Sequence, residues 1–403
     1  MGLSHKMKVY RLPEIPSHKS FLPVEPSQND APYDGWSNIA RAVWTQRNPS
    51  EDWSTAEQRC YPAIKTGPLA GWLQLRGQTA ALCAGFASLG MKSGQRGTHP
   101  TGIGAKGTAK ILPIKDIPQH PFFREGREFP LRLRHANGSF EDDAGCTLRG
   151  CSLKFADTDY DSPFDMNLNS GTQGPLWSVE SFFRFAKVRE ACDPEKGDFE
   201  AQAKLMDEYP AYLMSWIESV RDAPSSFADL TYTSQCVFPF VGDDGVLRYC
   251  RYRLRRPDLE KESGLCSEAR QMKVWNMQRD PNDDRPANYL REEFSARLKK
   301  GTINYRLQIQ VRDQDASKDD LEIFHLNRPW YDLPWIDLAE ITLQEELPTS
   351  VMERTAFSLG HQPEGLGSFH AYNASDYRSV VWSRLRIYEI SKLMRALRGS
   401  PAA

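Results

Sequence analysis

From Ile303 to Val311 the chain reads Ile-Asn-Tyr-Arg-Leu-Gln-Ile-Gln-Val, an unbroken alternation of apolar and polar side chains. A period of two marks a strand with one buried face and one wet face. Less regular runs of the same kind fall at 108–113, 129–134, 146–155, 229–241 and 246–255. The last two flank Gly242-Asp243-Asp244-Gly245, which reads as a hairpin turn. Residues 321–343 mix short strands with Trp330 and Trp335. Helical spacing governs 179–188, 285–300 and a closing stretch at 376–397. It also governs 199–220, where Pro210 should kink or break the helix. Residues 35–90 are helical in parts, most clearly at 72–75 and 80–89. Residues 1–35 are rich in Pro, Ser and Lys without periodicity, and are expected to form an extended arm. No repeat or linker splits the rest, so 36–403 is expected to be one α+β domain.

The remaining composition narrows the class. At 403 residues, with 40% hydrophobic and 11% aromatic residues, the chain can fill a large core. Its formal net charge of -2 gives no reason to expect nucleic acid as a partner. No apolar run approaches the roughly 20 residues of a transmembrane helix. Residues 1–13 carry charges and no apolar core, unlike a signal peptide, and the final Ser-Pro-Ala-Ala is not a peroxisomal address. The eight cysteines are scattered and form no C-x-x-C, so reduced thiols in a cytoplasmic protein are the simplest expectation. Cys146 and Cys151 have a poor spacing for zinc. Asn137-Gly138-Ser139 and Asn373-Ala374-Ser375 match the glycosylation pattern, which means little without secretion.

Two segments hold candidate chemistry. On the closing helix Arg384 and Tyr388 are four apart and share a face, and Arg395 returns to that stripe two turns later. Positive charge beside a phenol favours the phenolate, a good ligand for ferric iron. A surface arginine stripe with a half-buried tyrosine would read the same way. The second segment is Arg96-Gly97-Thr98-His99-Pro100-Thr101-Gly102-Ile103-Gly104-Ala105. A histidine just ahead of a Gly-x-Gly turn can stand at the rim of a cavity, and beside a peroxide it can move a proton between the two oxygens. A hydrogen-bonded structural histidine is the plainer alternative. Gly102-x-Gly104 is not a dinucleotide fingerprint, because the third glycine is missing and a strand follows.

Together these segments resemble the haem catalases. Arg96-x-x-His99-x-x-Gly102-x-Gly104-Ala105 is similar to their distal-histidine segment, and Arg384-x-x-x-Tyr388 to their proximal tyrosine. Between them, Gly150-Cys151-Ser152-Leu153-Lys154-Phe155 followed by Phe164-Asp165-Met166-Asn167-Leu168-Asn169 resembles their G-x-x-x-K-F strand and distal asparagine. The resemblance implies an antiparallel β-barrel with surrounding helices and a buried haem b in the ferric state. It implies Tyr388 as the axial iron ligand, with Arg384 beside it. His99 is then the distal acid/base and Asn169 the distal amide, or Asn167 if the register shifts. Arg96, Arg134 and Arg395 match arginines that pair with the haem propionates, whose buried carboxylates need donors.

The departures point to one branch. Catalases read Arg-Phe-Ser where this chain has Arg134-His135-Ala136, so the serine that orients the distal histidine is replaced by Ala136. Thr98 stands where they have valine. The Thr98-His99 pair, Arg134-His135-Ala136-Asn137, Tyr232-Thr233-Ser234-Gln235 and Arg251-Tyr252-Arg253 resemble the allene oxide synthase branch, which converts fatty-acid hydroperoxides without external reductant. A Thr98 hydroxyl bonded to His99 would restrain the imidazole and disfavour the proton shuttle that H2O2 cleavage needs. The resemblance therefore implies a lipid hydroperoxide dehydratase or isomerase. A small catalase or organic-peroxide peroxidase is the alternative, then an oxidase on another substrate, then a haem carrier or sensor without turnover. A homo-oligomer is expected by analogy.

Overall fold

The computed structural model describes residues 9–10, 31–61, 68–93, 95–138, 142–193, 196–314 and 323–398. In chain order its strands are β1 (Val9–Tyr10), β2 (Gly102–Ile111), β3 (Glu128–Asn137), β4 (Arg149–Lys154), β5 (Asp165–Ser170), β6 (Tyr232–Thr233), β7 (Phe238–Val241), β8 (Leu247–Arg255), β9 (Ile303–Asp313), β10 (Ile336–Glu346) and β11 (Ser368–Phe369). Its helices are α1 (Ala31–Arg47), α2 (Trp53–Cys60), α3 (Pro68–Ser93), α4 (Val179–Glu190), α5 (Glu200–Glu208), α6 (Pro210–Ser219), α7 (Glu268–Gln271), α8 (Tyr289–Lys300), α9 (Thr349–Arg354) and α10 (Ser379–Arg398).

The main sheet runs β6-β5-β4-β3-β2-β10-β9-β8-β7, and β6 also pairs with β8. That extra pairing closes an eight-stranded antiparallel barrel, which leaves no edge along most of its circumference. The closing strand is interrupted. β6 and β7 share one side of β8, with Thr233 opposite Arg253 and Phe238 opposite Cys250. Between them Gln235 takes φ +55, a left-handed conformation that breaks the ladder and turns its side chain aside.

The barrel interior follows the period-two pattern. Ile303, Tyr305, Leu307 and Ile309 of β9 are buried, as are Leu131, Leu133 and His135 of β3 and Cys151 and Leu153 of β4. His135 stacks on Phe227, and its Nε2 lies 2.9 Å from the Tyr305 hydroxyl. Burial pushes its pKa down to about 3, so it is a neutral part of the core. The second half of β3 is buried on its outer face as well, at Arg132, Arg134 and Ala136. A strand wet on one side would alternate there. Continuous burial shows that something covers the barrel from outside.

Several expected elements shift. The helix broken at Pro210 is observed, as α5 and α6. The strand expected at 146–155 begins only at Arg149, because Cys146 and Thr147 belong to a turn that bonds to Met277 and Arg221. The strand expected at 229–241 is a 3-10 turn, then β6, the Gln235 kink and β7. Residues 336–346 form one long strand instead of several short ones, and Trp330 lies in the loop before it. The closing helix starts at Ser379, after Asp376 has bound the Arg378 amide and guanidinium. Most of the arm expected at 1–35 lies outside the described residues, and helix α1 already begins at Ala31. Among the described residues no helix is long and apolar enough to cross a membrane.

Candidate active site

The covered outer face of the barrel is one wall of a cleft. Antiparallel register sets Ala136 beside Gly150 and Gly150 beside Asn169, and in the next row Arg134 beside Ser152 and Ser152 beside Asn167. These side chains point away from the barrel interior, because Cys151 and Leu153 between them point in. The segment Arg96–His99 folds over this wall, and helix α10 faces it with Arg384, Ile387, Tyr388, Ser391, Lys392 and Arg395. Phe86 of α3 and residues 356–358 complete the lining of the cleft.

His99 adopts φ +54. Its backbone N–H donates to Gly138 O at 2.9 Å, and its carbonyl accepts from Arg134 Nη2 at 3.0 Å. Its ring lies on Gly150: a Cβ there would come within 2.7 Å of the imidazole, so only glycine fits. Burial first, then the positive charges of Arg134 and Arg384, pushes the His99 pKa down to about 4. The imidazole is therefore neutral at pH 7. Its Nδ1 is buried without a hydrogen-bond partner. The contact expected from the Thr98 hydroxyl is not made in this structure, where Thr98 lines the cleft as an exposed side chain. Ala136, also in the lining, has no hydroxyl to offer.

Across the cleft, Arg384 donates to the Tyr388 hydroxyl through Nε at 2.8 Å and Nη2 at 2.6 Å. Burial opposes the guanidinium charge, but Tyr388 and Cys236 outweigh it and the Arg384 pKa is raised. The phenol oxygen thus accepts two short hydrogen bonds from one cationic group.

A third group of residues collects at one end. Arg96 Nη1 lies 2.6 Å from Glu353 Oε2, Arg134 Nη2 lies 3.6 Å from Glu353 Oε1, and Arg395 Nη1 donates to the Glu353 carbonyl at 2.9 Å. Three guanidinium groups around one carboxylate leave a surplus of two positive charges. Burial, then repulsion from Arg96, lowers the pKa of Arg134 well below its usual value and that of Arg395 to about 10. Arg134 Nε and Arg395 Nε are buried without partners. Crowded, desolvated and under-neutralised cations are a receptor for anionic groups.

The cleft thus brings together all the residues singled out in the sequence: Arg96, Thr98, His99, Arg134, Asn169, Arg384, Tyr388 and Arg395, with Asn167 in the same lining. The two asparagines differ in their partners. Asn167 Oδ1 accepts from Ser152 at 2.6 Å, which leaves its Nδ2 buried and unpaired, while Asn169 Nδ2 donates to Gln235 Oε1 at 3.3 Å. Register sets Asn169 beside the glycine that carries His99.

Other parts of the site were not singled out as site residues in the sequence, although Gln235 ends the Tyr232–Gln235 segment quoted above. Glu353 is a carboxylate on a short helix far along the chain. Gln235 and Cys236 sit in the strand kink: Gln235 Nε2 donates to Ser170 O at 3.0 Å, and Cys236 Sγ is 3.8 Å from Arg384 Nη1. The 356–358 wall is tied down by two ion-paired clusters. Arg132 binds Asp157, Asp159 and the Thr355 hydroxyl. The Lys154–Asp165 pair (2.9 Å) is fully buried, and Asp165 also accepts from Ser358 N and contacts His361 Nδ1. Only the polarity of a residue expected in a core, such as Lys154, hinted at such links.

The comparisons agree with this architecture. The chain covers 75% of itself and 59% of a fungal catalase at a TM-score of 0.54 and 20% identity. Against a bacterial catalase the coverage is 75% and 57%, with a TM-score of 0.57 and 16% identity. This is the catalase fold. In sequence the chain is 37% identical over 372 residues to the allene oxide synthase-lipoxygenase protein of Plexaura homomalla, covering 90% of this chain and 34% of that protein. It is 29% identical over 327 residues to linolenate 9R-lipoxygenase of Nostoc sp., covering 79% of this chain and 40% of that protein. The chain thus spans between a third and two fifths of the length of these relatives. An uncharacterized protein of Sinorhizobium fredii is 31% identical over 237 residues, 57% of this chain and 97% of its own length. No family model matches. By fold the chain is catalase-like, and in sequence it is similar to about a third of the allene oxide synthase-lipoxygenase protein.

Proposed function

We propose that the cleft binds ferric haem b and converts fatty-acid hydroperoxides as a dehydratase or isomerase of the allene oxide synthase type. The observation that carries this reading is the Arg384–Tyr388 pair, whose two short guanidinium bonds fix the phenol oxygen across the cleft from a neutral His99. The residues fit the group. Tyr388 would hold the iron, and the surplus charge of Arg96, Arg134 and Arg395 around Glu353 would accept the two propionates. Bound there, haem supplies the redox chemistry that breaks an O–O bond without external reductant. The net change in a dehydratase is loss of water from the hydroperoxide.

The chain's own residues do the rest. Asn169, steadied by Gln235, hydrogen-bonds the peroxide oxygens. His99, neutral across the physiological range, holds or receives a proton at its ring nitrogen. Phe86, Phe357 and Ile387 make part of the lining apolar, which suits an acyl chain and excludes water. The reaction class that supplies such a substrate is dioxygenation of a polyunsaturated fatty acid, and both longer relatives carry lipoxygenase in their names. Residues 36–403 act as one haem domain in the cytoplasm, as a homo-oligomer, with no nucleic-acid partner.

One observation favours a small catalase or organic-peroxide peroxidase as a second reading: His99 Nδ1 is not engaged by Thr98. We propose that Thr98 turns its hydroxyl to this nitrogen once the cofactor fills the cleft. Thr98→Val keeps the β-branched shape and removes the hydroxyl. It should raise oxygen release from H2O2 at matched haem content, while the wild type prefers a lipid hydroperoxide. Fast oxygen release by the wild type, unchanged in the variant, sinks the dehydratase reading and leaves the catalase.

Gln235→Leu tests the placing of Asn169. Loss of a partner that orients a reacting group costs about 10-fold or more. We expect a fall of that size in kcat for hydroperoxide, with haem content and KM unchanged. An unaltered kcat would show that Asn169 needs no such support.

A further inference from the structure

Away from the cleft, two thiols meet. Cys146 Sγ and Cys266 Sγ lie 3.7 Å apart, although 120 residues separate them in the sequence. Cys146 is in the turn between β3 and β4, its N–H bonded to Met277 O at 3.1 Å. Cys266 precedes Ser267, the residue that caps α7, and its carbonyl accepts from Gln271 Nε2 at 3.0 Å. The surroundings are charged. Arg270 of α7 lies 3.4 Å from Asp222, and Arg221 pairs with Glu262. The other buried cysteines differ: burial pushes Cys60 and Cys250 up to about 12, as inert core thiols. Cys146 moves the other way in spite of its burial, because Cys266 donates to it and Arg270 adds positive charge. Cys266 is pushed up by the same shared proton and by burial.

We propose that Cys146 and Cys266 form a redox-active dithiol that a hydroperoxide oxidises to a disulfide. One thiolate attacks a peroxide oxygen, the O–O bond breaks, and the alcohol leaves with one proton, giving a sulfenic acid. The second sulfur displaces the hydroxyl, which leaves as water with the second proton, and the S–S bond forms. The dithiol loses two electrons and two protons, and the hydroperoxide becomes an alcohol and water. Cys146, which accepts the shared proton, is the sulfur that attacks, and Cys266 then resolves the sulfenic acid. Cys266, 7% exposed against 0% for Cys146, marks the side from which solution approaches the pair. A disulfide at about 2.05 Å requires the sulfurs to approach by about 1.7 Å. Both lie outside helices and strands, so no helix or ladder bond has to break for that approach.

The bond would tie the turn before β4 to the segment before α7. That turn is continuous with the scaffold of His99, since Gly138 O holds the His99 amide and Gly150 lies under its ring. Closing so long a loop restricts the unfolded chain, and a rise in Tm of about 5 °C is expected.

The test uses the full chain, reduced and desalted, then treated with H2O2, tert-butyl hydroperoxide or diamide and mapped by mass spectrometry without reduction. We expect a linked Cys146–Cys266 peptide with all three oxidants, reversed by dithiothreitol and absent from Cys146→Ser. Linkage by diamide and by neither peroxide overturns the assigned oxidant. Two free thiols, or sulfinic acid without a link, at doses that oxidise half of Cys83 or Cys192, overturn the pair itself. The result does not depend on which hydroperoxide reaction the cleft performs.

Discussion

Tyr388→Phe is expected to empty the cleft of haem. The substitution removes the one phenol among the described lining residues, where the charged groups are arginines, Lys392, Glu389 and none that could replace it on iron in the same place. It also leaves the Arg384 guanidinium with one weak contact, Cys236 Sγ at 3.8 Å, in place of two bonds of 2.6–2.8 Å to oxygen. Arg384 is half-buried and would lose its two short bonds, so the variant should be somewhat less stable as well as cofactor-poor. Loss of a group that merely orients a ligand lowers metal affinity by 10–100-fold, roughly, and loss of the ligand itself should exceed that. The measurement is haem content per chain and the position of the main absorption band after purification in excess haem. Full occupancy with an unchanged band would remove Tyr388 from the iron. The arginine cluster at Glu353 would still hold a haem by its propionates, so partial retention with a shifted band agrees with the assignment.

How far the sequence could be read depends on the range of the interaction. Ile303–Val311 was legible because a strand with one buried face writes its pattern into consecutive residues, and β9 covers that whole stretch. Pro210 was legible for the same local reason. Arg384 and Tyr388 could be paired from the sequence alone, since a helix fixes the i, i+4 relation, and the bonds between them are observed.

The failures fall where structure depends on distant partners. β5 did not register as a strand. It has only six residues, with Asn and Asp on its cleft face, and its partners come from β4 and β6. The kink at Gln235 was invisible, because nothing near it announces a left-handed residue between two strands. Cys146 looked like strand and is turn, held by Met277 and Arg221 from far along the chain. Glu353 could not be placed at all without the fold, although it sets the net charge of the arginine cluster. The glycines were readable only as a motif. Their purpose is steric: a side chain at Gly150 would meet His99, and one at Gly104 would meet the Met352 sulfur. The candidate residues taken from the resemblance line one cleft, but a bond between Thr98 and His99 is not formed here.

His99→Ala should leave the haem in place and abolish most turnover. The imidazole touches the barrel wall at Gly150, and no protein group depends on its Nδ1. Removing it therefore opens space without stranding a partner. Loss of a positioned acid/base lowers rates by about 100-fold or more. Hydroperoxide consumption at matched haem content is the measurement, and a wild-type rate in the variant would make His99 structural. The pH dependence adds an independent check. The His99 pKa is depressed from 6.5 to about 4 by burial and by Arg134 and Arg384, so the ring is neutral throughout pH 5–8. Wild-type activity should not fall with a midpoint near 6.5, and any acid limb due to this residue should lie near 4. The same depression acts on stability. Below pH 6.5 the unfolded chain takes up a proton that the folded imidazole refuses until about pH 4. Unfolding therefore becomes easier as pH falls through that window, and the penalty levels off below it. The alanine variant lacks this penalty and should lose less stability than the wild type between pH 6.5 and 4, read by denaturant unfolding at each pH. Equal losses in both proteins would mean that His99 ionises normally in the folded state, and the account of a neutral acid/base above the barrel wall would fail.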